Sequence, residues 1–219
     1  MAARNDRAAS EAQDNDSVVY VVDDDDSLRE ALAGLIRVVG LKAECFTSAQ
    51  DFLKARRADV PSCLVLDVRL PGISGLNLQS ELAKAGIAIP IIFMTAHGDI
   101  PMTVSAMKAG AAEFLTKPFR DQDMLDAIHT ALQRDRLRRA QERSQSDLRS
   151  RFESLTARER EIMTMVVAGL MNKQIAAKLE LAEITVKIHR GSAGRKMGAK
   201  SLAEMVKMAQ ALGLDAGKA

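Results

Sequence analysis

VVYVVDDDDSLREALAGLIRVVG, residues 18–40, contains the unit from which the first part of the chain is built. The run from Val18 to Val22 is apolar and mostly β-branched, as in a strand buried on both faces. Aspartates end it, a segment of helical period follows, and Gly40 stands where a left-handed helix C-cap is expected. The unit then recurs. KAECF with SAQDFLKA, CLVLDV with GLNLQSELAKAG, IPIIFMT with IPMTVSAMKAG, and AEFLTK with DQDMLDAIHTALQ complete five strands in alternation with five helices. Leu64 to Leu66 and Pro90 to Met94 are also apolar throughout, and Gly86 and Gly110 follow their helices as Gly40 does. Strict alternation predicts an α/β fold, a (βα)5 doubly wound parallel sheet covered on both faces, over residues 18–133. In such a sheet, ligands bind outside the carboxyl ends of the strands.

Residues 134–153, RDRLRRAQERSQSDLRSRFE, are charged and free of Gly and Pro, which predicts a helical linker continuing the fifth helix. After it every signal is helical. Thr156 with Glu159 forms a capping box for a helix that Gly169 stops. Asn172 is placed to cap NKQIAAKLE, EITVKIHRGSAGRKM follows after a short break, and Ser201 with Glu204 forms a box for the last helix. Residues 154–213 are therefore expected to be an all-α, four-helix domain containing a helix-turn-helix, with residues 214–219 as a tail.

The formal net charge is −2 over residues 1–17, −4 over 18–130, +3 over 131–153 and +5 over 154–219. A basic C-terminal part behind an acidic first domain implies an anionic partner, nucleic acid before any other. No apolar run approaches the ~20 residues that span a bilayer. The lead, residues 1–17, lacks the apolar core of a signal peptide, so it is expected to be disordered and the protein cytoplasmic. Cys45 and Cys63 have no metal-ligand spacing and are read as buried reduced thiols.

Polar residues that do not suit a core stand at the strand ends: Asp23 and Asp24 after the first, Asp67 after the third, Thr95 after the fourth and Lys117 after the fifth. The predicted sheet brings them all to one rim. Carboxylates gathered there repel one another unless a cation joins them, and an oxygen-only donor set with open water positions suits Mg²⁺. With the metal bound, Asp67 can attack phosphorus as a nucleophile, while Lys117 and the Thr95 hydroxyl hold phosphoryl oxygens by charge and by hydrogen bond. Asp25 and Asp26 are read as exposed or helix-capping, and His129 as a surface residue.

VVDDDDSLR, LVLDVRLPGISG, IIFMTAHGD and EFLTKPF resemble the four signature segments of response-regulator receiver domains, and the intervals of 28 residues from Asp67 to Thr95 and 22 from Thr95 to Lys117 fit as well. The resemblance implies that Asp67 accepts a phosphoryl group and that Asp23, Asp24, Asp67 and the main-chain carbonyl of Arg69 hold Mg²⁺. It makes Thr95 the switch hydroxyl, Lys117 the phosphate lysine and Phe114 the aromatic switch residue, and it implies a cis Lys117–Pro118 bond. Arg69 and His97, two residues beyond Asp67 and Thr95, either border the path of the attacking water or are solvated loop residues.

The segment from Ser154 to about residue 212 resembles the LuxR-type helix-turn-helix, with Glu159, Asn172, Ile175, Ala176, Leu179, Thr185, Val186, His189, Lys196 and Leu202 at motif positions. Together the two halves resemble response regulators of the NarL/FixJ type. Val186, Ala193 and Met197 are expected to face the domain core, and Lys187, Ile188 and Arg190 the major groove, with Ile188 against a thymine methyl. Lys173, Thr185, His189, Arg195, Lys196 and Lys200 are expected at phosphates. The sequence departs from the family at Ser192–Gly194, where relatives carry one basic and two larger apolar residues. Gly191 and Gly194 each cost about 1 kcal/mol of helix relative to Ala, so this helix is expected to fray and monomeric DNA binding to be weak.

What the resemblance implies is a phosphorylation-dependent transcription regulator, and not an enzyme beyond slow hydrolysis of its own phosphoryl group. A cognate sensor histidine kinase supplies the phosphoryl group. The face formed by IPMTVSAMKAG and EFLTK then repacks, with Met102 and Met107 expected to be exposed, and a homodimer binds promoter DNA and engages RNA polymerase. Two other readings compete. A phosphorylation-independent DNA-binding scaffold would have lost the acidic pair or the lysine, and neither is lost. An aspartyl-phosphate phosphatase of the haloacid-dehalogenase type wants a second Asp where Arg69 stands.

Overall fold

The computed structural model describes residues 16–96 and 100–214, so the expectations for residues 1–15, for His97 and for residues 215–219 lie outside the described residues. Strands β1 (Val18–Val22), β2 (Lys42–Phe46), β3 (Ser62–Asp67), β4 (Ile91–Thr95) and β5 (Glu113–Thr116) alternate with helices α1 (Asp26–Val38), α2 (Ala49–Lys54), α3 (Gly75–Lys84), α4 (Ile100–Lys108) and α5 (Asp121–Glu153). The strands form one parallel sheet in the order β2-β1-β3-β4-β5. The chain order reverses between β1 and β3, the switch point outside which ligands bind in sheets of this kind.

Alternation along the strands explains why helices cover both faces. Tyr20, Leu64, Leu66 and Phe93 point to one side, where Phe52 of α2, Leu78 and Leu82 of α3 and Ala106 of α4 cover them. Val19, Val21, Val65, Ile92 and Met94 point to the other, against Leu32 and Ile36 of α1 and Met124, Ile128 and Leu132 of α5. Each such side chain, fully buried, contributes roughly 1.5–3 kcal/mol. Gly40, Gly86 and Gly110 adopt φ of +82°, +68° and +93°, so the helix stops fall where expected. Asp25 is the N-cap of α1 and accepts from the Leu28 N–H at 3.2 Å. One expectation fails here. Cys63 is buried but Cys45 is exposed, because β2 is an edge strand.

The chain divides into two compact units after Arg139. In the second, α6 (Ala157–Val167), α7 (Asn172–Leu179), α8 (Glu183–Met197) and α9 (Leu202–Ala211) surround a core of Leu155, Ile162, Met163, Val166, Ile175, Val186 and Met197. Leu148 and Phe152 from the end of α5 pack against that core. The Thr156–Glu159 capping box is complete, each member bonding the other's main-chain N–H. Asn172, by contrast, is not a cap: it is the first residue of α7, Met171 precedes it in extended conformation, and Gln174 accepts from the Met171 N–H at 2.8 Å. The Ser201 box is half made, since Glu204 accepts instead from the Lys200 N–H. α8 runs unbroken through Gly191 and Gly194.

Candidate functional site

Asp23, Asp24 and Asp67 meet at the carboxyl ends of β1 and β3, with one carboxylate oxygen from each lying within 4.8 Å of the others. Asp23 is fixed most tightly. Its Oδ1 accepts from the Asp25 N–H at 2.9 Å and its Oδ2 from Lys117 Nζ at 2.7 Å. Lys117 Nζ also lies 3.5 Å from Asp67 Oδ1, so one cation serves both acids. Burial pushes the Asp67 carboxyl above its ordinary range, Lys117 opposes that rise, and Asp23 adds to it. An all-oxygen set with two buried acids and an exposed third at its mouth is the donor chemistry of a hard divalent cation.

Two residues that sequence reading did not assign build this rim. Arg29 in α1 is buried and donates through Nη1 to the Asp23 carbonyl at 2.7 Å, while pairing with Asp26. It ties the β1–α1 loop to the helix behind it. Gly75 opens α3 directly over Asp67: a Cβ there would collide with the Asp67 carbonyl oxygen, so only glycine lets the helix start so close. The segment quoted from Leu64 to Gly75 contains both Asp67 and Gly75, but nothing in it shows that they touch.

Thr95 is fully buried at the end of β4, opposite Thr116, and its carbonyl accepts from the Lys117 N–H at 2.7 Å. The Lys117–Pro118 bond is cis. Phe114 pairs in register with Phe93, two residues before Thr95, their ring centroids 6.2 Å apart. Residues two apart on a strand share a face, so Thr95 and Phe114 lie on the side covered by α4. On α4, Met102 is half-buried against the core, contrary to expectation, because the helix turns it inward. Ile100, Val104 and Met107 are the exposed apolar residues there. Arg69 is exposed beyond β3, and its main-chain N–H bonds the Asp67 carboxylate.

In the second unit, α8 divides as expected, with Val186, Ala193 and Met197 buried and Lys187, Ile188 and Arg195 exposed. Lys173 and Lys200 are exposed as well, whereas Thr185 and His189 are half-buried. Arg190 is half-buried too and donates to Asn172 Oδ1 at 3.1 Å. Lys196 is engaged within the unit: its Nζ meets the buried Glu159 carboxylate at 2.7 Å, and Ser192 donates to the other oxygen at 2.6 Å. Ser192 thus has a partner that its departure from the family pattern did not suggest. These contacts hold the Glu159 carboxyl at about 2, chiefly through Lys196, then Ser192 and the Thr156 N–H. A depressed carboxyl stabilises the fold above its ordinary value near 4.5 and loses that contribution as pH falls toward 2. The melting temperature of the wild type should therefore exceed that of Glu159→Gln at pH 6 by a margin that shrinks from about pH 4.5 downward. A margin independent of pH would refute the assignment.

An acidic rim on a five-stranded parallel sheet, in one chain with a four-helix unit that contains a helix-turn-helix, has the build of a two-domain regulator. Comparison with known families agrees on both halves: residues 19–129 match the response regulator receiver domain, and residues 153–209 match the bacterial regulatory proteins of the luxR family. The chain belongs to the two-component response regulators of the NarL/FixJ type, and is a transcriptional regulator. It is 56% identical to nodulation protein W of Bradyrhizobium diazoefficiens over 200 residues, 91% of this chain and 88% of that one. It is 44% identical to the transcriptional regulatory protein FixJ of Azorhizobium caulinodans over 196 residues, 90% of this chain and 93% of the other. The solved structure of the response regulator StyR shares 50% identity at a TM-score of 0.83, covering 89% of this chain and 98% of its own. Among the described residues no helix is long and apolar enough to cross a membrane.

Proposed function

We propose that Asp67 accepts a phosphoryl group from the phosphohistidine of a sensor histidine kinase, and that this modification governs promoter binding by the C-terminal domain. The carrying observation is the convergence of Asp23, Asp24, Asp67 and Lys117 on one rim. An Asp67 oxygen attacks phosphorus, the P–N bond breaks, and the imidazole leaves with the electron pair. Receiver domains bind Mg²⁺ at such an acidic pocket. Asp23, Asp24 and Asp67 would hold it here with the Arg69 carbonyl, and when bound it offsets the charge of the incoming phosphoryl oxygens. Lys117 sits where its ammonium can follow charge from Asp23 to phosphate, and the Thr95 hydroxyl supplies a hydrogen bond.

Movement of Thr95 toward a phosphoryl group on Asp67 frees space on the face it shares with Phe114, which is how the signal reaches α4 and β5. Exposed Ile100, Val104 and Met107, at helical spacing on α4, support a dimer formed through that face. Light scattering with a phosphoryl analogue and Mg²⁺ should show the mass doubling, and an unchanged mass would count against the dimer. Lys187, Ile188 and Arg190 are proposed to read bases. Lys173, Thr185, His189, Arg195 and Lys200 are proposed to meet phosphates, with Lys196 contributing the part of its charge that Glu159 leaves exposed. RNA polymerase is the proposed downstream partner at the promoter.

Footprinting on genomic fragments, with wild type and Asp67→Asn each given a small phosphodonor and Mg²⁺, tests the whole reading. Protection by the wild type alone is the expected result, and equal protection by both would favour the phosphorylation-independent scaffold.

A further inference from the structure

Five residues of α8, Ile184, Lys187, Ile188, Gly191 and Arg195, recur at intervals of three and four and share the side of the helix opposite buried Val186, Ala193 and Met197. Their make-up is unusual for a solvated face. Ile184 and Ile188, one turn apart, are each 62% exposed, and both charged members are cations. A single exposed isoleucine is ordinary, but two in line form an apolar strip, with Glu183 before it and the cations Lys187 and Arg195 beside and beyond Ile188. The glycine at its centre is harder to explain from within the chain. Gly191 is helical, needs no positive φ, and a Cβ there would meet nothing nearer than the flexible end of Arg195, at 3.6 Å. The fold does not require it, yet a glycine inside a helix weakens that helix.

We infer that Gly191 is the point at which α8 approaches the floor of the DNA major groove most closely, and that Ile184 joins Ile188 in packing on thymine methyl groups beside it. An α-helix with its side chains, about 10–12 Å across, only just fits a groove about 12 Å wide. Removing the side chain at the centre of the facing strip lets the helix sit deeper, and the flanking isoleucines then reach the only apolar groups that the groove offers. Lys187 and Arg195 on the same strip supply the charge complementarity that singles out DNA as the occupant. Gly194 is the internal control. It lies at the edge of the same strip but is half-buried where Gly191 is exposed, and a Cβ there would make ordinary contact with Met205 at 3.5 Å.

The inference rests on the proposed DNA-binding function, and the experiment separates the two. A binding sequence is selected from random duplexes with phosphodonor-treated full-length wild type, and affinities are then measured for wild type, Ile184→Ala, Gly191→Ala and Gly194→Ala. Each is tested on the selected duplex and on the same duplex with uracil in place of thymine, and hydrogen exchange follows α8 in every variant. Both glycine substitutions should raise protection of α8. Gly194→Ala should bind as tightly as wild type or more so, whereas Gly191→Ala should bind about tenfold more weakly despite its steadier helix. Uracil should weaken wild type several-fold and Ile184→Ala much less. Undiminished binding by Gly191→Ala, or equal uracil sensitivity in wild type and Ile184→Ala, would overturn the inference while leaving the function intact. Selection of no sequence by the wild type would overturn both.

Discussion

Asp67→Asn should lose hydroxylamine-labile phosphate incorporation from a small phosphodonor by more than about a hundredfold, because a neutral amide is no nucleophile for phosphorus. The same substitution should make the unmodified protein more stable. Asp67 lies beside Asp23 and Asp24, it is buried, and both burial and the Asp23 charge act against its ionised form. Removing one of three crowded charges relieves that repulsion, so the urea midpoint of the variant should rise in chelator and the gain should shrink when Mg²⁺ is added to both proteins. Tyr20 is the sole tyrosine of a chain without tryptophan and is buried in β1, so its fluorescence reports the receiver unit alone. A variant that is stable and inert isolates the chemistry from folding. Stoichiometric phosphate on Asp67→Asn would remove Asp67 as the acceptor.

The alternation of strands and helices was legible because each element carries its period in consecutive residues, as Val18 to Val22 does. Asp23, Asp67, Thr95 and Lys117 were legible for a related reason. Asp23, Asp67 and Thr95 stand directly after apolar runs and Lys117 one residue further on, after Phe114–Thr116, and a parallel sheet sends every such position to one rim. Residues whose partners are main-chain groups or distant side chains left no such mark. Arg29 reads as one more charge on an amphipathic helix, yet it holds the Asp23 carbonyl. Gly75 reads only as the opening residue of a helix, yet the Asp67 backbone lies against it. Lys196 reads as one of several cations for DNA, and only folding reveals that Glu159, buried, already faces it. Cys45 and Met102 were misplaced by the same limitation, since local pattern does not tell an edge strand from a central one, or how far a helix is rotated.

Asp135 is the sharpest case and carries the second large effect. In the sequence it is one acid in a run of arginines; in the structure it is fully buried. Its Oδ2 accepts from the Ser62 N–H at 3.0 Å and from Arg139 Nε at 2.7 Å, and its Oδ1 accepts from Arg138 Nη2 at 2.6 Å. Arg139 reaches on to Asp59. The carboxylate therefore pins the first residue of β3 to α5, at the opposite end of the strand from Asp67. Truncating one member of a buried charge network leaves the others uncompensated, at a cost of about 3–5 kcal/mol. Arg138 and Arg139 keep 30% and 19% of their side-chain surface exposed, so water recovers part of that loss and the low end of the range applies to Asp135→Ala. Asp135→Asn keeps an acceptor for the Ser62 N–H and should lose less, about 1–3 kcal/mol. Urea unfolding followed by Tyr20 fluorescence gives both values, and hydrogen exchange should show faster opening of α5 amides around Asp135 and of the first residues of β3. A loss below about 1 kcal/mol in Asp135→Ala would mean that the arginines are solvated without it and that α5 is held to the sheet by Met124, Ile128 and Leu132 alone.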